Sequence, residues 1–260
     1  MNKENDKKDM KNNEEGSKND IVIKIDHLQK TFGSNTVLKD VTLTLNKGEN
    51  VVVLGKSGTG KSVLIKCIVR LIEADEGSII VFGKNMAALN DNDLISVRKD
   101  IGFLFQSGAL YDSMSVRENL EFPLREQKFN SNSEKEALVK EALADVGLAD
   151  TIDKMPSELS GGMRKRLGLA RTLILKPQII LYDEPTTGLD PVTSREISQL
   201  IVQVQQKYKA SSIIITHDIA CARITSNRLI VLKEGVCAAE GTFEDLEKSK
   251  EEWLHAYFIN

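Results

Sequence analysis

Residues 50–72 read NVVVLGKSGTGKSVLIKCIVRLI, a short apolar run followed by a glycine-rich stretch and then a helical pattern. This junction constrains the fold more than any other segment, because a strand end and a helix start must meet at one point. Gly55, Gly60, Lys61 and Ser62 fill the pattern GxxxxGK[ST]. A helix N-terminus carries unpaired N–H groups and a partial positive charge, and glycines let the backbone wrap an anion without side-chain clash. Lys56, Ser57, Gly58, Thr59 and Val63 complete the loop. It is suited to a polyphosphate, with Lys61 reaching the β and γ phosphates and the Ser62 hydroxyl ligating Mg²⁺. The competing reading is a purely structural glycine turn.

Short continuous apolar runs recur in NVVVLG, IGFLF, QIILY and SSIIIT. Such runs suit strands covered on both faces in a mostly parallel sheet. Ile21 to Leu28 and Val37 to Leu45 instead alternate apolar and polar residues, which predicts half-buried antiparallel strands in a small N-terminal β layer. Between Gln106 and Ser160 no strand candidate occurs, and helices are expected at Ser115 to Glu126 and Ser133 to Val146. The second opens with Ser133 and Glu136 in capping-box spacing and closes at Gly147, where a left-handed residue is wanted. Asp190 and Pro191 form an N-cap and first-turn pair for a helix to about Lys207. The fold class is therefore α/β, a mostly parallel sheet with an antiparallel β subdomain and an inserted helical subdomain at about 107–165. Residues 243–260 read as short amphipathic helices whose Trp253, Tyr257 and Phe258 are packing anchors or partner contacts.

At 260 residues the chain can bury one large core or two modest ones. Its net charge of -3 provides no basic face for nucleic acid, so no nucleic-acid partner is expected. Cys67, Cys221 and Cys237 show no metal-ligand spacing and read as reduced thiols packed in a cytoplasmic protein. No run approaches the roughly 18 apolar residues of a spanning helix, so membrane work falls to another chain. Residues 1–20 carry little to bury and read as a disordered polar tail, with a docking tag as the alternative.

The strand Ile179 to Tyr182 ends in Asp183 and Glu184, whose side chains strand alternation points in different directions. Asp183 suits the Mg²⁺ shell and Glu184 the polarisation of a water attacking the γ phosphate. Gln106 ends the strand IGFLF at the carboxyl edge of the sheet, where open α/β folds bind ligands. His217 follows IIIT in the same way, its imidazole facing the γ phosphate or the attacking water. Either residue alone would also suit an ordinary polar strand end.

Taken with LSGGM (Leu159 to Met163) and TGLD (Thr187 to Asp190), the set resembles the nucleotide-binding domain of ABC transporters, from Ile21 to about Gly241. The resemblance implies a RecA-like P-loop fold that binds ATP with Mg²⁺ and works as a homodimer of cassettes. It makes Lys61, Gln106, Glu184 and His217 catalytic, and Ser62, Gln106 and Asp183 the metal-facing set. Ser160, Gly161 and Gly162 of the trans signature Ser160 to Met163, a glycine pair at the N-terminus of a helix expected over Met163 to Ile174, would contact the γ phosphate held by the partner subunit. Asp190 would lie at the dimer seam and Phe32 would stack on adenine. Met163 stands where glutamine is usual and cannot donate a strong hydrogen bond.

The segment Ile101 to Glu126, followed by SGGM, is similar to the MlaF-like ATPases of Mce-type lipid transporters. That implies a MlaE-like permease contacted through Ala109, Leu110, Tyr111 and Met114, and a periplasmic Mce-type lipid-binding protein. The place would be the cytoplasmic face of the inner membrane. The alternatives are an exporter of other cargo such as lipoprotein, a soluble ABC ATPase outside transport, and a non-hydrolysing regulatory cassette.

Overall fold

The computed structural model describes residues 21–127, 129 and 131–258; the expected polar tail at 1–20 lies outside the described residues. A ten-stranded sheet runs through the molecule in the order β5-β4-β1-β2-β10-β9-β3-β8-β7-β6. One wing is antiparallel: β1 (Ile21–Phe32), β2 (Asn35–Asn46), β4 (Glu76–Val81) and the short β5 (Lys84–Asn85). The other is parallel: β3 (Asn50–Leu54), β6 (Ile101–Leu104), β7 (Ile179–Asp183), β8 (Ser211–Thr216) and β9 (Arg228–Lys233). β10 (Val236–Gly241) joins them, antiparallel to β9 and parallel to β2.

The continuous apolar runs are explained by two cores, one on each face of the parallel wing. Val52 and Leu54 of β3 pack into one cluster while Val51 and Val53 pack into the other. In β7, Ile180 and Tyr182 divide from Ile179 and Leu181 in the same way. A strand covered on both faces has no polar side to display.

Helices fill the two layers: α1 (Lys61–Ile68), α2 (Asp91–Lys99), α3 (Val116–Glu121), α4 (Asn132–Asp145), α5 (Gly161–Leu173), α6 (Pro191–Tyr208) and α7 (Ile219–Thr225). Two short helices, α8 (Phe243–Glu247) and α9 (Glu252–Phe258), end the described chain. Trp253, Leu254, Tyr257 and Phe258 pack on the larger core, as anchors do.

Three local expectations are corrected. The helix foreseen over Ser115 to Glu126 is α3 followed by a 3₁₀ turn at Phe122–Leu124, where Pro123 lacks the N–H that would continue the ladder. α4 is capped by Ser131, which accepts from the Glu134 N–H, rather than by Ser133. The segment SNSEKE spells the cap spacing twice, and the earlier cap adds helix; Glu136 instead pairs with Lys140 one turn on at 2.8 Å. α5 begins at Gly161 on the N-cap Ser160 rather than at Met163, and it ends at Leu173. Gly147 is left-handed as foreseen, with φ 70. Asp190 caps α6 through the Val192 and Thr193 N–H groups.

Candidate functional site

The loop from Gly55 to Gly60 leaves β3 and delivers Lys61 as the first residue of α1. Gly60 has φ 96, and a Cβ there would lie 2.9 Å from the Val37 Cγ1 and 2.8 Å from the Leu38 Cδ2. At Gly55 a Cβ would meet the Leu232 carbonyl oxygen at 2.7 Å. Larger residues would therefore force the loop off both neighbouring strands.

Lys61 is buried, and its Nζ donates to the carbonyls of Gly55 at 2.7 Å and Lys56 at 3.0 Å. It also lies 3.3 Å from the Glu184 Oε1. The Ser62 hydroxyl donates to Asp183 Oδ1 at 2.9 Å. Burial pushes the Asp183 carboxyl above its ordinary range, opposed by the Ser62 hydroxyl.

Glu184 is the first residue beyond β7 and has φ 49, so the chain turns out of the strand there. The alternation expected of a continuing strand therefore does not set its direction. Both carboxylates are buried and face the glycine loop, yet they keep separate partners. The Glu184 Oε2 lies 2.8 Å from His217 Nδ1 and accepts from the Thr187 hydroxyl at 3.1 Å. A carboxylate accepts, so Nδ1 carries the hydrogen in this pair.

These groups meet because β3, β8 and β7 are adjacent in the sheet, their C-terminal ends pointing the same way. A cavity of ≈ 330 Å³ lies between them, lined by Lys61, Ser62, Gln106, Glu184, Thr187 and His217 among others. Gln106 is exposed and sits in a turn beyond β6, which ends at Leu104 rather than running on to it. The oxygen donors of Ser62, Asp183 and Gln106 fit a hard ion such as Mg²⁺, which takes one or two carboxylates and keeps water and phosphate oxygens for the rest.

Phe32 does not line this cavity; it stands 46% exposed at the end of β1, with Lys30 Nζ 5.3 Å from its ring centroid. The LSGGM residues do not line it either. Ser160 and Gly161 are exposed at the N-terminus of α5, while Gly162 is buried, where a Cβ would lie 2.5 Å from the Thr193 Cγ2. Met163 is half-buried against the larger core and its N–H donates to the Ser160 hydroxyl at 3.2 Å. Asp190 is exposed, and hydrogen bonds from Thr193 hold its carboxyl below the usual range. In the expected permease surface, Tyr111 packs on Phe122 at 4.5 Å with Arg171 over its ring, Ala109 is exposed, and Leu110 and Met114 are partly covered.

Sequence reasoning missed Lys165, which is buried in α5 and donates to the carbonyl oxygen of Gln106. Nothing in the run Arg164, Lys165, Arg166 marks it. A signal existed in the helical period, since 162, 165 and 169 share the buried stripe of α5. Thr187 was likewise read only as part of TGLD.

The sequence model of the ABC transporter family matches residues 38–187, and the chain belongs to that family. Among its relatives, the "Probable ribonucleotide transport ATP-binding protein mkl" of Mycobacterium tuberculosis is 45% identical over 218 residues, 84% of this chain and 61% of the relative. The chain thus spans about three fifths of that relative's length. The chloroplastic protein trigalactosyldiacylglycerol 3 of Arabidopsis thaliana is 39% identical over 246 residues, 88% of this chain and 71% of that one. The methionine import ATP-binding protein MetN of Clostridium acetobutylicum is 38% identical over 225 residues, 86% and 70%. A dimeric post-hydrolysis structure of the ATP-binding cassette MJ0796 bound to ADP and Pi superposes with TM-score 0.77 at 32% identity, covering 85% of this chain and 98% of that one. The fold is that of an ABC ATPase, and the chain carries an ATP-hydrolysing cassette. No helix among the described residues is long and apolar enough to cross a membrane.

Proposed function

We propose that the chain is the ATP-hydrolysing subunit of an ABC transporter that drives lipid movement through a separate permease. The observation that carries the enzymatic part is the convergence of Lys61, Ser62, Glu184 and His217 on one cavity beside the glycine loop, with Asp183 joined to it through the Ser62 hydroxyl. Backbone N–H groups of residues 55–63 cradle the phosphates, and Lys61 exchanges its carbonyl and Glu184 partners for the β and γ oxygens. Glu184, released from Lys61 but still held by His217 and Thr187, accepts the proton of the attacking water. With the neutral ring donating from Nδ1, Nε2 is an acceptor and orients that water; only the protonated ring donates to phosphate. Ser62, Asp183 and Gln106 would hold Mg²⁺, which when bound would supply charge neutralisation to the phosphates.

In this reading the cassette spans 21–242, with a helical subdomain at about 107–165 and a C-terminal tail at 243–260. Ser160, Gly161, Gly162 and Met163 serve the partner subunit's ATP, with Asp190 at the seam and Phe32 against adenine. The exposure of Ser160, Gly161, Asp190 and Phe32 supports roles outside the chain's own cavity. The lipid cargo is supported by the segment Ile101 to Glu126, by Met163, and by a relative whose name is that of a glycolipid. It implies a MlaE-like permease, a periplasmic Mce-type lipid-binding protein and the cytoplasmic face of the inner membrane. Methionine or ribonucleotide transport, as in the names of other relatives, is the competing cargo reading. Purification of the chain with its permease, followed by mass spectrometry of bound small molecules, is expected to return phospholipid. Recovery of an amino acid or nucleotide with no lipid would overturn the cargo.

A further inference from the structure

Lys165 is 8% exposed and lies in the second turn of α5. Its Nζ donates to the carbonyl oxygens of Gln106 and, at 3.4 Å, of Glu184. Both partners are backbone oxygens, not carboxylates. A buried ammonium is costly unless it is fully bonded, and an apolar side chain of similar size would fill the space without that cost. Burial pushes its pKa down, against the attraction of Asp183 and Glu184. A cation retained against burial calls for an account in what it connects.

It connects three elements that share no covalent neighbourhood. α5 carries Ser160, Gly161 and Gly162 at its start; Gln106 sits in the turn after β6; Glu184 sits in the turn after β7. Glu184 has φ 49, a conformation that persists only where surrounding bonds impose it. Its N–H is held by the Ile215 carbonyl at 3.0 Å, and its carbonyl also accepts from the Thr187 N–H at 3.2 Å.

We propose that Lys165 is a positioning residue that clamps the start of α5 to the Gln106 turn and to the Glu184 backbone, so that these elements move as one unit. The inference rests on the ATPase reading above. Closure of Ser160, Gly161 and Gly162 over a partner's nucleotide would then pull Gln106 and Glu184 into register in the same subunit. Lys165 touches no substrate and acts through the residues it holds.

The test uses the full chain and ATP. Lys165→Met keeps the bulk and removes the donors; Lys165→Arg restores the cation and its donors. Lys165→Met is expected to lower kcat by about 10- to 100-fold while the ATP dissociation constant stays within about twofold, and Lys165→Arg to recover most of the rate. In a Glu184→Gln background, Lys165→Met is expected to cost far less than in wild type, since the two act through one group. Unchanged kcat, an equal fractional loss in both backgrounds, or parallel loss of ATP affinity and thermal stability would overturn the proposal. If wild type itself hydrolyses no ATP, the reading beneath it fails instead.

Discussion

Glu184 concentrates the chemistry of the site in one side chain, bonded by Lys61, Thr187 and His217 and turned by its own positive φ. Glu184→Gln preserves the size and the Thr187 bond but not the base, so turnover should fall about 10²- to 10⁴-fold with ATP binding retained, as read by steady-state assay and equilibrium titration. Lys61→Ala is expected to weaken ATP affinity at least about tenfold, because the charge that offsets the phosphates is lost; unchanged affinity would refute the cradle. Burial pushes the thiols of Cys67, Cys221 and Cys237 up to about 11. A thiolate-selective reagent at pH 8 should therefore label the native protein slowly and the unfolded chain fast.

At the level of elements, the start of α4 separates local signal from local outcome. Ser131→Ala should cost about 1 kcal/mol in thermal or urea unfolding, and Ser133→Ala close to nothing; the reverse order would restore the cap read from the sequence. The start of β9 is pinned to the turn before β3 and to β2 by Arg228, whose guanidinium donates to Glu49 at 2.7 and 3.0 Å and to the Thr44 carbonyl at 2.6 Å. Burial alone would raise the Glu49 carboxyl, but the Arg228 bonds and the Asn46 N–H outweigh it and hold it below the ordinary value. A depressed folded pKa contributes stability above the unfolded pKa and loses it as pH falls through the folded one. Glu49→Gln should therefore destabilise by about 1–3 kcal/mol at neutral pH, with the gap closing in acid.

For the whole molecule, the proposed homodimer would bring the exposed start of α5 to the cavity of a second copy, which it does not reach in its own chain. ATPase rate per subunit is expected to rise with protein concentration, and a constant rate on dilution would argue for a monomeric mechanism. The β3 run and the glycine loop were legible because strand, loop and helix signals lie within one short segment. RLIVLK, which became β9, was not singled out, although its apolar centre resembles the other core runs. Asp183, Glu184, Gln106 and His217 were legible as residues at strand ends. Their mutual distances were not, because nothing local orders the strands.

The sequence by itself determined four of the strands buried on both faces, β3, β6, β7 and β8, where the chain must bend round an anion, and which residue types stand at the strand ends. Periodicity, glycine and side-chain chemistry act over a few residues. Only the tertiary structure decided that β3, β8 and β7 lie side by side, that Glu184 turns back to His217 and Lys61, and that Lys165 of a basic run is buried beneath them. Those facts rest on ladder hydrogen bonds and packing between residues far apart in the chain, which no local pattern encodes.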